Sequence, residues 1–257
     1  MRIACCLTCL LWLAPGFGLA QRALDFEGRY WVTDSTQAIK VTDNGKGTDI
    51  NFKTDLGFVD KNFPEARLTY HGKGRSKLKV GFVQARYDGD RNVQKTIDFG
   101  GTTYTFGTRV VSSLKLQDLK LGWAYQFVRL AGGKLRLGSF LQGHVLWFRA
   151  GLAAPNLRPP LAESERGVVP IPMVGISLDA VPHSRVNISG DFSGLKFGKY
   201  GSAVDGELAV KLLPIRRLGF TAGYRSFRLG PKFDPDYAVV RISGLFVGAF
   251  ARLGSAE

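Results

Sequence analysis

The 257-residue sequence holds 3 His, 35 Lys and Arg, and 21 Asp and Glu, the side chains able to move a proton or fix an ion. His144 is the weak candidate for a catalytic base. It sits in an alternating run on the same side as Arg136 and Gln142, where a carboxylate from another segment could orient it. A histidine base also needs a hydroxyl nucleophile within hydrogen-bond reach, and no hydrolase motif surrounds it. His71 and His183 fall in turn segments and read as solvent-facing. A larger set of charges shares one strand face with His144: Asp118, Lys120, Arg136, Asp179, Asp191, Asp205, Glu207, Lys211 and Arg225. Enclosed charges must pair, because an unpaired buried charge is costly. The expectation is therefore a salt-bridge network. All three cysteines, Cys5, Cys6 and Cys9, lie near the start, and there is no HExxH and no GxxxxGK[ST]. No metal and no cofactor is expected. Thr33, Asp55 and Asp60 could meet a cation, but acidic loop residues are ordinarily just solvated.

The elements that must position these groups are clearest in LKLGWAYQFVRLAGGKLRLGSFLQGHVLWF, Leu119 to Phe148. Leu121, Trp123 and Tyr125 alternate with Lys120, Gly122 and Ala124; Leu137, Leu141 and Trp147 alternate with Arg136, Gln142 and His144. Alternation of this length is the period of a half-buried strand, and Gly132-Gly133 is a hairpin signal. Leu137, Trp147, Ile188, Phe220 and Tyr224 join Leu121, Trp123 and Tyr125 on the apolar face. An apolar, aromatic face opposite a polar or glycine face is the dyad repeat of a strand with lipid outside and a polar lumen within.

The chain opens MRIACCLTCLLWLAPGFGLAQ, with a basic residue, a short apolar run, a Pro-Gly break and small residues near Ala20. That is the form of a cleaved signal peptide over residues 1–20, leaving residues 21–257 as one domain. The apolar run is about 11 residues, well short of the roughly 20 that a membrane helix needs.

Ten strand segments can be marked between Phe26 and Leu253, so the fold expected is all-β: a single up-and-down antiparallel transmembrane barrel of about ten strands, with eight or twelve as alternatives. Thr102 to Phe127 reads as one strand after Gly100-Gly101. APNLRPPLAESERG reads as a loop that its prolines and charges keep out of the sheet. Turns alternate with longer connections, as in barrels with short periplasmic turns and longer outer loops. The formal net charge is +14, and much of the excess lies at the short turns, on Lys73, Arg75, Arg129, Lys134, Arg216 and Arg217. Spaced by whole hairpins and without interleaved stacking aromatics, these residues do not suggest nucleic acid. They suit a ring meeting anionic phospholipid on the periplasmic side.

The leader, the alternating strands and the closing run ISGLFVGAFARL resemble small bacterial outer-membrane β-barrels of uncharacterised type. The resemblance implies a Gram-negative outer-membrane location and insertion by the barrel assembly machinery, which reads an aromatic residue at the end of the last strand; here Phe250 and Leu253 precede the tail GSAE.

The function expected is non-enzymatic, a structural or surface-interaction barrel with a largely filled polar lumen. Three alternatives stand beside it. One is a porin-like passive channel for a small or amphipathic solute. Another is an outer-membrane enzyme acting on lipid or protein through His144. The last is a soluble lipocalin-like barrel whose apolar face would line a ligand cavity.

Overall fold

Ten long strands run up and down around a closed ring: β1 (Ala23–Lys40), β2 (Phe63–His71), β3 (Ser76–Asn92), β4 (Arg109–Leu130), β5 (Leu135–Ala154), β6 (Leu161–His183), β7 (Val186–Lys196), β8 (Gly201–Ile215), β9 (Leu218–Phe233) and β10 (Asp236–Gly254). Each pairs antiparallel with its neighbours in sequence, and β10 returns to β1 from Ala23↔Gly254 to Lys40↔Tyr237. This is a computed structural model, and it describes residues 23–40, 42–43, 46–72, 75–99, 101–215 and 217–254. The leader with its three cysteines, Gly45, Lys73, Gly74, Gly100, Arg216 and the end of the GSAE tail lie outside those residues. No helix among the described residues is long and apolar enough to cross a membrane.

Closure leaves no free edge between first and last strand, which matters where no water can satisfy backbone groups. The ring also sorts the side chains by parity. In β1 the residues from Ala23 to Gln37 alternate buried and outward-facing, so that Asp25, Glu27, Arg29, Thr33 and Ser35 point in while Phe26, Tyr30 and Val32 point out. The same parity turns Leu121, Trp123, Tyr125, Trp147, Phe220 and Tyr224 outward, with Phe220 62% exposed; Leu137 and Ile188 are half-buried. An outward apolar face excludes the lipocalin arrangement, in which those residues would line the cavity.

Two boundaries differ from the expectation. The segment LAESERG is not loop: β6 starts at Leu161, and its charged start pairs residue for residue with the end of β5, from Ala154↔Leu161 through Arg149↔Arg166. Charge does not exclude strand where the barrel wall rises past the apolar band into water. Conversely, Thr102–Phe127 is not one strand. Thr102–Tyr104 pairs with Ile97–Phe99 in a separate small hairpin, and β4 begins only at Arg109. Two later connections on that side, residues 197–200 and 234–235, are as short as the turns opposite.

The first long loop carries a short helix, α1 (Phe52–Leu56). Asn51 caps it, its side chain accepting from the Lys53 and Thr54 amides at 3.1 and 3.2 Å, and Gly57 ends it at φ 75°. A side-chain oxygen satisfies otherwise orphaned N–H groups at the start, and glycine takes the left-handed turn at the finish. Gly89 on β3 is required by this helix: a Cβ there would lie 2.1 Å from the Leu56 carbonyl oxygen.

Candidate functional site

The interior divides into two stacked halves, and the chemistry is in the one nearer the short turns. Its centre is Glu207 on β8, which accepts from Arg29 Nη1 at 2.9 Å and from Arg67 Nη1 and Nη2, both at 2.6 Å. Arg29 also donates to Glu27 at 2.5 Å, and Arg67 to Glu65 at 3.0 Å. Arg225 links this group to the next, donating to Glu65 at 3.3 Å and to Asp205 at 3.2 Å. Asp205 further accepts from Lys120 at 2.6 Å and Gln142 at 2.9 Å. Strands far apart in sequence are thereby tied across the lumen by charge-assisted hydrogen bonds, the strong kind.

His144 lies in this belt, fully buried and stacked on Phe227 at 5.1 Å between centroids. Its Nδ1 is 2.9 Å from both Asp118 oxygens, and its Nε2 is 2.6 Å from Gln142 Nε2. Nε2 also lies 3.4 Å from an Asp205 carboxylate oxygen, so the ring stands between two carboxylates. The histidine therefore has its orienting carboxylate, as a base would. What it lacks, among its hydrogen-bonding partners in the described residues, is a hydroxyl to activate.

Toward the short turns, Lys211 donates to Glu27 at 2.8 Å, Arg252 to Asp25 at 2.6 Å, Lys77 contacts Asp179 at 2.7 Å, and Lys79 pairs with Asp191. Asp179 also accepts from Gln126 at 3.0 Å. Arg136 is placed at the end of the lumen, its Nε donating to the Gly133 carbonyl at 2.8 Å. His71 is not solvent-facing: its Nε2 stands 3.1 Å from Asp25. His183 is exposed, as are Arg75, Arg129, Lys134 and Arg217.

Sequence reading missed Asp25, Glu27, Arg29, Glu65 and Arg67. The signal was present in Glu27-x-Arg29 and Glu65-x-Arg67, opposite charges two apart and so on one strand face.

The other half of the interior is apolar, contrary to the polar lumen expected throughout. Trp31, Phe63, Tyr87, Val110, Leu114, Leu116, Leu146, Leu152, Ile171, Met173, Phe227 and Leu229 form a buried cluster inside the ring. The long loops close it from above. Phe52, Leu56 and Phe58 from the first loop and Val93, Ile97, Phe99 and Tyr104 from the second join the same cluster. Polar anchors fix the loops to the wall: Thr33 donates to the Lys61 carbonyl at 2.7 Å, and the Ser35 amide to Asp60 at 2.8 Å. Tyr104 donates to the Leu152 carbonyl at 3.1 Å. At the seam, Arg29 lies 4.2 Å over the Phe246 ring and Arg225 5.0 Å over Trp31. A cavity of about 30 Å³ remains there among Trp31, Phe63, Leu146 and Phe227, room for roughly one water.

No protein-family model matches the chain, and no characterised protein matches it in sequence. Solved structures do match its fold. The outer-membrane protease OmpT of Escherichia coli aligns over 95% of this chain and 99% of its own, at 9% identity and a TM-score of 0.51. Ail, the attachment invasion locus protein of Yersinia pestis, aligns over 91% of this chain and 99% of its own, at 11% identity and 0.39. OprG of Pseudomonas aeruginosa covers 92% and 97%, at 8% and 0.38. Identities this low speak to architecture alone. In fold, the chain is a closed antiparallel β-barrel of ten strands, similar to small bacterial outer-membrane barrels.

Proposed function

We propose that this barrel is a sealed wall element of the outer membrane, with a structural or surface-interaction role and no conducting pore. The observation that carries the reading is the filled cross-section, a salt-bridge belt beneath an apolar plug with space for about one water between them. The outer-membrane rule of short periplasmic turns places the belt toward the periplasm and the loops of residues 41–62 and 93–108 outside. There the loops would meet a partner. The basic residues Arg75, Arg129, Lys134 and Arg217, with Lys73 and Arg216 in the same turns, would sit against anionic phospholipid, and insertion would use the barrel assembly machinery. A cleaved leader over residues 1–20 belongs to the same proposal. His144 acts as a buried network member.

Planar-bilayer recording of the refolded barrel tests the central point. Silence is expected in wild type and also after deletion of residues 48–60, because the wall residues of the plug and the salt-bridge belt still fill the section. Steady steps from wild type would favour the solute channel instead. His144→Ala should leave the lipid A mass spectrum of expressing cells unchanged.

A further inference from the structure

The outward face of the wall changes character where it leaves the apolar band on the long-loop side, and across four adjacent strands cations make the change. Arg86 on β3 stands opposite Lys115 on β4, Lys115 opposite Arg149 on β5, and Arg149 opposite Arg166 on β6. All four are exposed. Neighbouring strands lie about 4.8 Å apart, so the row spans about 14 Å. Like charges set directly opposite one another weaken a sheet. Three such steps in succession call for a counter-charge.

The protein supplies little of it. Arg86 donates to Asp88 at 3.3 Å, and Lys61 donates to the same carboxylate at 3.0 Å. Among the described residues, Lys115, Arg149 and Arg166 take part in no ion pair and no side-chain hydrogen bond. Glu163 and Glu165 alternate with Ser164 and Arg166 along β6, and so belong to the other face of the sheet. The neighbouring rows set the chemistry of the surroundings. Two residues toward the long loops, Ser113 and Ser164 flank Gly151 on the same face, bringing hydroxyls beside the cations. Two residues the other way, Trp147 and Val168 stand opposite each other, 37% and 56% exposed. Tryptophan at the edge of an apolar wall marks the level of lipid headgroups. Cations one step beyond it meet phosphates. Guanidinium forks match phosphate oxygens, and cations about 5 Å apart on adjacent strands can share one phosphate.

We infer that the row Arg86, Lys115, Arg149 and Arg166 is a binding site for the headgroup of a membrane lipid that carries two phosphates, in the leaflet facing the long loops. The inference rests on the outer-membrane reading and goes beyond it, because it places a fixed lipid site at the end opposite the basic turns. Regular pairing from β3 to β6 holds the cations at a set spacing. A single-phosphate headgroup would leave half of the row uncompensated.

The test is native mass spectrometry of the refolded full-length barrel, released from nonionic detergent after incubation with lipid A bearing two phosphates. A retained adduct of one lipid A per barrel is expected. Its occupancy should fall about fivefold or more in Lys115→Gln/Arg149→Gln/Arg166→Gln, and Arg149→Lys/Arg166→Lys should keep it. Arg228→Gln/Arg241→Gln removes an exposed cross-strand pair of arginines on β9 and β10 and should leave it unchanged. Heat-modifiable gel migration confirms that each variant is folded. Lipid A stripped of phosphate should be lost on release. Equal occupancy in wild type and the triple variant, an equal loss in the β9–β10 variant, or equal retention of the stripped lipid would overturn the site while leaving the membrane reading intact. A wild-type barrel that stays monomeric in plain buffer would overturn the membrane reading, and the site with it.

Discussion

The two halves of the lumen are built from the same strands by opposite means. The half near the short turns is held by a few directional contacts, in which Arg225, Glu207 and Asp205 each have several charged partners. The half near the long loops is held by undirected packing of aromatic and aliphatic side chains, most of them from the wall and the rest from the loops. β1 shows the loss of charge within one strand, its inward residues running from Asp25, Glu27 and Arg29 to Trp31 and then to the uncharged Thr33, Ser35 and Gln37. The contrast teaches that lumen polarity follows depth. Ion pairs brace a closed ring across its diameter, whereas an apolar section gives loop residues a surface on which to fold.

The largest expected effect comes from removing one member of the belt. Arg225→Met leaves Asp205 and Glu65 with less compensation and should cost about 3–5 kcal/mol, measured by urea unfolding in lipid vesicles. A loss below about 1 kcal/mol would mean that the belt is ornamental. Lys79→Met against Lys79→Met/Asp191→Leu sharpens the point, because the double variant should recover most of what the single loses.

In the apolar half, Leu116→Ala should cost about 2–4 kcal/mol by cavity formation. It should do so without altering the salt dependence of unfolding, whereas that dependence should change for Arg225→Met. If both variants respond alike to salt, the two halves are not mechanically distinct.

Gly89→Ala is smaller, about 1–3 kcal/mol, since a Cβ would strike the Leu56 carbonyl and push α1 off the wall. Limited proteolysis should then cut near residues 53–60 with the barrel band intact on gels, and protection equal to wild type would contradict the close approach.

The smallest effect is on pH. Burial alone would raise the Asp60 carboxyl, but the Lys53 ammonium and the Ser35 amide and hydroxyl hold it below its ordinary value of 3.8. A depressed carboxyl contributes its stability fully above the ordinary value and loses it as pH falls through the lowered one. Amide exchange of residues 50–62, corrected for intrinsic rates, should accelerate only below about pH 4, and Asp60→Asn should abolish that step.

How much of this was legible in advance differs by level. Trp123 and Phe220 point outward as alternation requires, and ten strands close as the turn spacing suggests. Asp118, Lys120, Asp205, Glu207 and Arg225 fall on the inner face by the same parity, and all five prove buried. The pairs Glu27/Arg29 and Glu65/Arg67 also share one face by parity, but a charged inward face weakens the apolar alternation that marks a strand's core side. The start of β6 was misassigned because composition was weighed above pairing, and Glu163 and Arg166 are strand only because β5 stands beside them.

The sequence by itself determined which side chains face outward and which face inward, since a two-residue period follows from backbone pleating and needs no knowledge of neighbours. Only the tertiary structure decided who meets whom: that Arg67 clasps Glu207 across 140 positions of chain, that loop aromatics complete an interior core, and that Arg86, Lys115, Arg149 and Arg166 stand in one row. Those relations depend on how far each strand is staggered against the next around the ring, and no local run of residues encodes that sum.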